Sequence, residues 1–405
     1  MPVPSCTHTA EKTFISPPTD NIKRVTKKHD ARNFAQKKPM PLGYRALLDG
    51  LHTAPIYEIE IPEMAEDGLC PDVQINDLKF LGSYDWTGAE SPTIVVPGMP
   101  CPWTGLETPF QLAPDSSMAH PHGIYRPDFM ALPALLSAVD AMGTHVDWPD
   151  VDVVANRGSL RRLADCMDDC PALDKEFRVD VQLVGEKTLS LHQWTGVGSM
   201  GYGFAFEAAT THRVTHASLL ATSHHRVIQY KLGGLSVVVQ SEVDACLLES
   251  NAVPHGDIEV LEETATGLTS HSTPFPVAPT LESRVFVGRK CKHLRVLSKS
   301  GPVIPQGSLL YLSQTPHLFV GIHLHGLFEK IERIASQDMV TERKKATRSL
   351  QRLVLVLRAV RQLAIERPMS PLSLVFRDRR LCMYERRSRE GDLQEEMARR
   401  FFAWD

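Results

Sequence analysis

Two consecutive hairpin patterns constrain the fold of this chain more than any other feature of its sequence. Residues Phe177–Val184 alternate apolar and polar side chains, and Thr188–Trp194 returns after a three-residue turn. Arg226–Leu232 and Leu235–Val243 repeat this arrangement on either side of Gly233-Gly234. Alternation with a period of two is typical of half-buried strands, and a glycine pair favours a tight hairpin turn. The middle of the chain is therefore predicted to be a β-sheet.

Helical patterns lie on both sides of this β-rich section. Residues Ser159–Cys166 are predicted to form a short helix, and Ala346–Ile365 a long one. The long helix carries an apolar face at helical spacing, which consists of Leu350, Leu353, Leu357, Val360 and Ala364. Strands together with helices of this kind predict an α+β domain around a central mixed sheet.

Composition excludes several classes of protein. Hydrophobic residues make up 42% of the chain, enough for a full core, so wholesale disorder is excluded. The net charge of −4 excludes a histone-like basic field, although residues 1–40 carry a net +5 and residues 341–405 a net +7. No apolar signal region or membrane span is apparent, which predicts a protein of the nucleus or cytoplasm without membrane contact. The eight scattered cysteines favour reduced thiols over a zinc site.

Four short motifs follow one another in a fixed order. Each is weak alone, because a solvated carboxylate is the commoner explanation, but their order and their placement on strands make the set specific. The motifs are Asn156-Arg157-Gly158, Gly203-x-x-x-Glu207, Glu242-Val243-Asp244 and Glu282-Ser283-Arg284.

Phosphodiester hydrolysis would explain why these residues gather. Hard divalent cations are bound by several carboxylate oxygens, and two such ions can activate a water and stabilise a leaving oxygen. Residues two apart on a strand share a face, so Glu242 and Asp244 are predicted to point together. Glu282 and Arg284 would do the same on an adjacent strand, while a helix would deliver Glu207.

These motifs resemble those of the DXO-like family of decapping nucleases, whose core is the PD-(D/E)XK nuclease fold. Residues 153–163 are similar to the family segment that contains the Arg-Gly motif, and residues 200–207 resemble its G-Y-K-F-E. Residues 241–246 are similar to its G-E-V-D-C, and residues 310–321 resemble its helix with a Gln ahead of a strand. The resemblance covers roughly residues 150–330.

The resemblance implies a role for each matched residue. Asp244 and Glu282, with the Ser283 carbonyl, would ligate Mg²⁺ or Mn²⁺ directly, and Glu207 and Glu242 would do so directly or through water. Arg157 and Gln314 would contact the RNA 5′ end or the scissile phosphate. The expected catalytic set is Glu207, Glu242, Asp244, Glu282 and Arg284.

One residue departs from the family pattern. The fourth motif ends in Lys in the family and in Arg284 here. Lys normally steadies or deprotonates the attacking water, whereas Arg stays protonated and is a poor base. This departure from the family pattern is therefore expected to affect catalysis rather than the fold.

Other sites are less well supported. Asp168-Asp169 lacks the spacing of a prenyl diphosphate synthase, and Pro171 would break the helix that this chemistry requires. The G-x-G-x-x-G match at residues 196–201 follows a hairpin arm and has no acid about 20 residues on, unlike a Rossmann site. His224 and His225 are adjacent and would point to opposite faces of a strand, so they could not share a metal ion. His323 and His325 would share a face but have no evident third ligand.

The sequence thus predicts a disordered basic tail (1–40) and a single DXO-like domain (41–405). The domain would comprise a core (150–330), a surface insertion loop (249–280) and a basic helical C-terminal segment (341–405). The expected function is metal-dependent processing of RNA 5′ ends by decapping, pyrophosphohydrolase or 5′→3′ exonuclease activity. A 5′→3′ exoribonuclease is an expected protein partner. The alternative is a catalytically inactive relative that binds RNA ends or docks on another nuclease.

Overall fold

A computed structural model describes eleven segments of the chain. These are residues 22–24, 47–61, 73–87, 92–115, 131–167, 176–194, 201–212, 221–247, 280–281, 290–298 and 307–403. Within them the helices are α1 (Ala131–Ala141), α2 (Arg157–Cys166), α3 (Gly203–Thr210), α4 (Gly307–Ser313), α5 (Val340–Glu366) and α6 (Glu395–Phe402). The strands are β1 (Ile22–Arg24), β2 (Tyr57–Ile59), β3 (Asn76–Thr87), β4 (Ile94–Val96), β5 (Phe110–Gln111), β6 (Val153–Asn156), β7 (Phe177–Val184), β8 (Thr188–Trp194), β9 (Ala221–Leu232), β10 (Leu235–Glu242), β11 (Ala245–Leu247), β12 (Thr280–Leu281), β13 (Lys290–Ser298), β14 (His317–Leu324), β15 (Leu327–Ala335), β16 (Leu372–Arg377) and β17 (Arg380–Glu385).

The larger of two sheets has the strand order β1-β2-β17-β16-β7-β8-β6-β10-β9-β3-β4-β12. At its centre β6 runs parallel to both β8 and β10, while the hairpins β7/β8 and β9/β10 are antiparallel. The sheet is therefore mixed, and helices flank it, which confirms the predicted α+β class. Both predicted hairpins are present.

The two faces of this sheet are covered by different helices. Alternate residues of β10 separate them, because Val237 and Val239 lie in one apolar cluster and Val238 in another. The first cluster packs against α2 and α5, and the five apolar residues predicted on one face of α5 are all buried in it. The second cluster packs against α1 and the C-terminal α6.

The smaller sheet has the order β11-β13-β14-β15-β5. The chain passes into it from the larger sheet through Val243 and Asp244, which separate β10 from β11. Phe206 of α3 is fully buried against this sheet, beside Phe319 and Phe328. The junction at Asp244 therefore lies where the two sheets meet along the chain.

The C-terminal segment is not wholly helical, in contrast to the sequence-based prediction. Residues 372–385 form the hairpin β16/β17, which pairs with β7 and β2 inside the larger sheet. The strand β16 is buried along nearly its whole length, so it lacks the alternation that marks a half-exposed strand.

Two other predicted segments fall mostly outside the described residues. Of the basic tail, only Ile22–Arg24 is described, as a strand antiparallel to β2. Of the insertion loop, only its last residue is described, at the start of β12. In the part of the chain that the structure describes, none of the helices has the length and apolarity needed to cross a membrane.

Candidate functional site

The candidate site lies at one edge of the larger sheet, where two parallel strands end. Asn156, the last residue of β6, is opposite Gln240 of β10, and β10 ends two residues later at Glu242. The carboxyl ends of adjacent parallel strands meet at the same edge, and ligand sites of open α/β sheets commonly lie there. The motifs around Arg157 and Glu242 are brought together by this register.

Arg157 begins α2 immediately after β6. The side chain of Asn156 caps this helix, since its Oδ1 accepts a hydrogen bond of 2.7 Å from the Ser159 backbone N–H. Arg157 Nη1 donates to the Glu242 backbone carbonyl over 3.2 Å. Burial lowers the pKa of Arg157, and the negative charges of Asp244 and Glu242 act in the opposite direction. Both predicted carboxylates are thus close enough to interact with this guanidinium.

The predicted common strand of Glu242 and Asp244 is corrected by the structure. The strand β10 ends at Glu242, and Asp244 belongs to the two-residue link that leads to β11. Val243 between them is buried and donates its N–H to the His224 carbonyl over 2.9 Å. Glu242 is exposed and Asp244 half-buried, so the alternation in burial continues past the end of the strand.

Glu207 lies on a different element from these two carboxylates. Its helix α3 packs against the smaller sheet through Phe206. No side chain of this helix caps its own N-terminus, but Asp115 accepts a hydrogen bond of 2.9 Å from the Ala205 N–H. Glu207 is half-buried, and its carbonyl accepts a hydrogen bond of 2.7 Å from Thr211. The motif Gly203-x-x-x-Glu207 therefore lies on a helix packed against the smaller sheet, whereas Glu242-Val243-Asp244 lies at the end of a strand of the larger sheet.

Gln314 follows α4 directly, ahead of β14, as the resemblance implied. It has a positive φ of 50°, and its Nε2 donates to the Tyr311 carbonyl over 2.6 Å. Its own carbonyl accepts a hydrogen bond of 3.3 Å from Arg226 Nη2, which also bonds to the Ser313 carbonyl. Arg226 thus connects the Gln314 turn to the sheet edge. None of the four sequence motifs includes Arg226.

The two adjacent histidines of β9 take separate partners. His224 Nδ1 lies 2.6 Å from Asp85 Oδ1, and both side chains are buried. His225 Nε2 lies 3.0 Å from Ser223 Oγ and stacks on Tyr84, with ring centroids 5.0 Å apart. Burial lowers the pKa of His225 to about 3, so it is neutral near pH 7. This neutral ring adds no charge beside Arg157.

The described residues do not complete a metal site by themselves. They include no group of three or more His, Cys, Asp and Glu side chains that could hold a metal ion. Glu282, Ser283 and Arg284, which form the fourth predicted motif, lie outside the described residues. Of the predicted ligands, Glu242 and Asp244 are the two whose charges act on Arg157.

Comparison with known proteins identifies a sequence family and a fold. A family model described as "Domain of unknown function (DUF8563)" matches residues 73–380. No curated protein matches the chain.

Solved structures of Rai1 and Dxo1 are similar to this chain. Rai1 from S. pombe is 12% identical, with a TM-score of 0.55 over 80% of this chain and 96% of that one. The same protein in complex with 3′-FADP is also 12% identical, with a TM-score of 0.50 and the same coverage. Dxo1 from K. lactis in complex with manganese is 9% identical, with a TM-score of 0.48 over 82% and 97% of the two chains. The likeness to S. pombe Rai1 confirms the fold that the sequence motifs implied.

Proposed function

The chain belongs to the DUF8563 family, and from its fold and its sheet-edge site we propose that it is a nuclease that processes the 5′ ends of RNA. The observation that carries this proposal is the position of Arg157, at the start of a capped helix and within interaction distance of Glu242 and Asp244. A guanidinium at a helix N-terminus favours a phosphate, and nearby carboxylates are the groups that phosphodiester hydrolysis uses. S. pombe Rai1, which shares the fold, has been solved with the nucleotide 3′-FADP.

The proposed roles of the residues differ. Arg157 would bind a phosphate oxygen of the RNA, and its partial burial would strengthen that charge interaction, because a partly buried site is less polarisable than water. Gln314 would support the RNA from the turn after α4. The carboxylates of Glu207, Glu242, Asp244 and Glu282 would form the hydrolytic centre, together with Arg284 and the Ser283 carbonyl. Mg²⁺ or Mn²⁺ would supply Lewis-acid chemistry at that centre.

A direct assay tests the nuclease proposal. The protein is incubated with RNA that carries a 5′ triphosphate or a cap, with Mg²⁺, with Mn²⁺ or with EDTA, and products are separated on a gel. We expect a metal-dependent product from one of these 5′ ends. Asp244→Ala should abolish it, while Asp338→Ala, a change to a distant acid after β15, should not. Equal product from Asp244→Ala would contradict the proposal.

A second candidate function is RNA-end binding without hydrolysis. Arg284 favours it, since this residue replaces the lysine that would act on the attacking water. This candidate predicts tight binding of 5′-phosphorylated RNA by the wild type and no product under any metal condition. A product that appears only with Arg284→Lys would show that this position alone had silenced the site.

A further inference from the structure

Two residues of adjacent strands and the first residue of α2 form a row at the sheet edge. Arg226 of β9 is directly opposite Ser241 of β10, so their side chains leave the same face of the sheet. Asn156 is opposite Gln240 in the parallel pair, and Arg157, the next residue, therefore leaves the sheet level with Ser241. We call Arg157, Ser241 and Arg226 the edge row.

The edge row faces the helix-covered side of the sheet rather than bulk solvent. Ser241 continues the series Val237 and Val239, which is buried under α2. Ser241 is only 2% exposed. Arg226 reaches the C-terminal end of α4, where it bonds to the Ser313 and Gln314 carbonyls. The row is thus enclosed between the start of one helix and the end of another.

Polar groups of the edge row are left without partners. The hydroxyl of Ser241 and the Nε–H of Arg226 are both buried, and neither has a hydrogen-bond partner among the described residues. Arg226 makes no ion pair in that part of the chain, although its charge and that of Arg157 repel each other. A buried polar group without a partner is destabilising, and the repulsion between the two half-buried guanidinium groups adds to that cost. Such an arrangement is stabilised when an anion enters.

We propose that Arg226 and Ser241 form, beside Arg157, a binding site for the terminal phosphate of 5′-phosphorylated RNA. Two guanidinium groups and a hydroxyl supply several donors to one tetrahedral anion, and α2 begins at Arg157 in the same row. The inference rests on the proposed function and deepens it, because it makes a phosphorylated 5′ end the preferred substrate over a 5′-hydroxyl end.

Packing alone explains the Ser241 hydroxyl and the Arg226 Nε–H less well than an anion site does. A valine or alanine at position 241 would fill a strand buried under α2 without an unsatisfied hydroxyl. Arg178 and Arg386 each pair with a carboxylate, although the Nε–H of Arg386 is also left without a hydrogen bond in the described chain. Arg226 has carbonyl partners only.

The test compares two RNAs that differ only at the 5′ end. A labelled oligoribonucleotide with a 5′ phosphate and its 5′-hydroxyl counterpart are titrated with the full chain in EDTA, and anisotropy gives both dissociation constants. We expect the wild type to prefer the phosphorylated end about tenfold, as a charge-assisted contact predicts. Ser241→Ala should reduce the preference about threefold, and Arg226→Gln should abolish it.

Two controls separate binding from folding. Ser241→Ala removes a hydroxyl without a partner, so its thermal unfolding midpoint should stay level or rise. Ser236→Ala, at the other end of β10, should leave the preference unchanged, and its midpoint should fall slightly because Ser236 Oγ accepts a hydrogen bond of 3.1 Å from Gln229 Nε2. A folded Ser241→Ala that keeps the full preference would overturn the inference, whatever Arg226→Gln does.

A third measurement distinguishes this inference from the proposed function. If neither RNA binds to the wild type, the proposed RNA function is wrong. Inorganic pyrophosphate then tests whether the edge row binds an anion at all. A pyrophosphate-induced rise in the unfolding midpoint that is lost in Ser241→Ala would support the site. No rise, or an equal rise in Ser241→Ala, would overturn it.

Discussion

The larger sheet contains two clusters of buried polar side chains, and they are satisfied in different ways. In the cluster on β7, β8 and β16, Arg178 pairs with Asp180 over 2.6 Å, and Ser373 donates to the same carboxylate over 2.6 Å. Ser190 lies 2.8 Å from His192. In the edge row, by contrast, a buried hydroxyl and a guanidinium N–H have no partner in the described chain. A satisfied network stabilises a fold, whereas an unsatisfied one is suited to a ligand.

The largest effect is expected from a substitution in the satisfied cluster, which is the one on β7, β8 and β16. Asp180→Ala would leave Arg178, which is 5% exposed, without its carboxylate and Ser373 without its acceptor. We expect the free energy of unfolding to fall by about 3 kcal/mol or more in urea titrations. Glu332→Ala, which removes an exposed ion pair with Lys330, should cost less than about 1 kcal/mol. Equal losses would show that the cluster does not stabilise the fold in this way.

The second largest effect is expected on RNA binding, from a substitution of Arg157. Arg157→Gln is expected to weaken binding of 5′-phosphorylated RNA at least about tenfold, since it removes a charged donor to phosphate. Arg161→Gln provides the matched control, because Arg161 lies one turn later on α2 and pairs with Asp165 over 3.2 Å. Anisotropy titrations measure both variants. If the two weaken binding equally, general positive charge rather than position is responsible.

A third prediction concerns acid stability of the satisfied cluster. Burial lowers the pKa of His192 to about 4, whereas an unfolded histidine titrates near 6.5. Between these values the unfolded state binds more protons, so the stability that is present above pH 6.5 is lost as the pH falls toward 4. We expect a slope of up to about 1 kcal/mol per pH unit from this group.

His192→Gln should flatten that slope, because glutamine does not titrate. Urea titrations between pH 4 and pH 7 measure the slope in both proteins. An unchanged slope in the variant would assign the acid sensitivity to other groups.

The smallest expected effect is on the salt dependence of RNA binding, and it tests whether Arg226 of the edge row contacts a phosphate. Binding of single-stranded RNA weakens with salt, with a slope of about −0.7 for each phosphate neutralised. Arg226→Gln should therefore reduce the magnitude of this slope by about 0.7, measured by anisotropy between 50 and 200 mM salt, a range that resolves such slopes. A slope identical to that of the wild type would show that Arg226 contacts no phosphate.

Local pattern was sufficient to predict much of the fold. The β7/β8 hairpin has the predicted bounds, because its strands alternate and its turn contains glycine. The β16/β17 hairpin was missed, since β16 is buried on both faces and its turn has no glycine. Asp378 and Arg379 occupy that turn with positive φ values of 50° and 61°, which glycine or asparagine would ordinarily signal.

The site was predictable only where a motif marks it. Arg157, Glu242 and Asp244 could be found from their spacing, although Asp244 lies in a link rather than on a strand. Arg226 could not, because its relation to Ser241 depends on the register between two strands and its relation to Gln314 on a helix far along the chain. The division into one domain with a tail and an insertion stays a prediction.

The edge pairing of the larger sheet has a consequence for how the chain acquires its structure. The strand β2 pairs with β17, and the bond between Arg380 and Glu58 spans 322 residues. During synthesis β2 cannot complete this pairing until β17 has left the ribosome. Contacts of such long sequence separation slow folding, because a large loop must close before they form. This side of the sheet is therefore expected to be assembled late, after the strands that lie between β2 and β17 in the sequence.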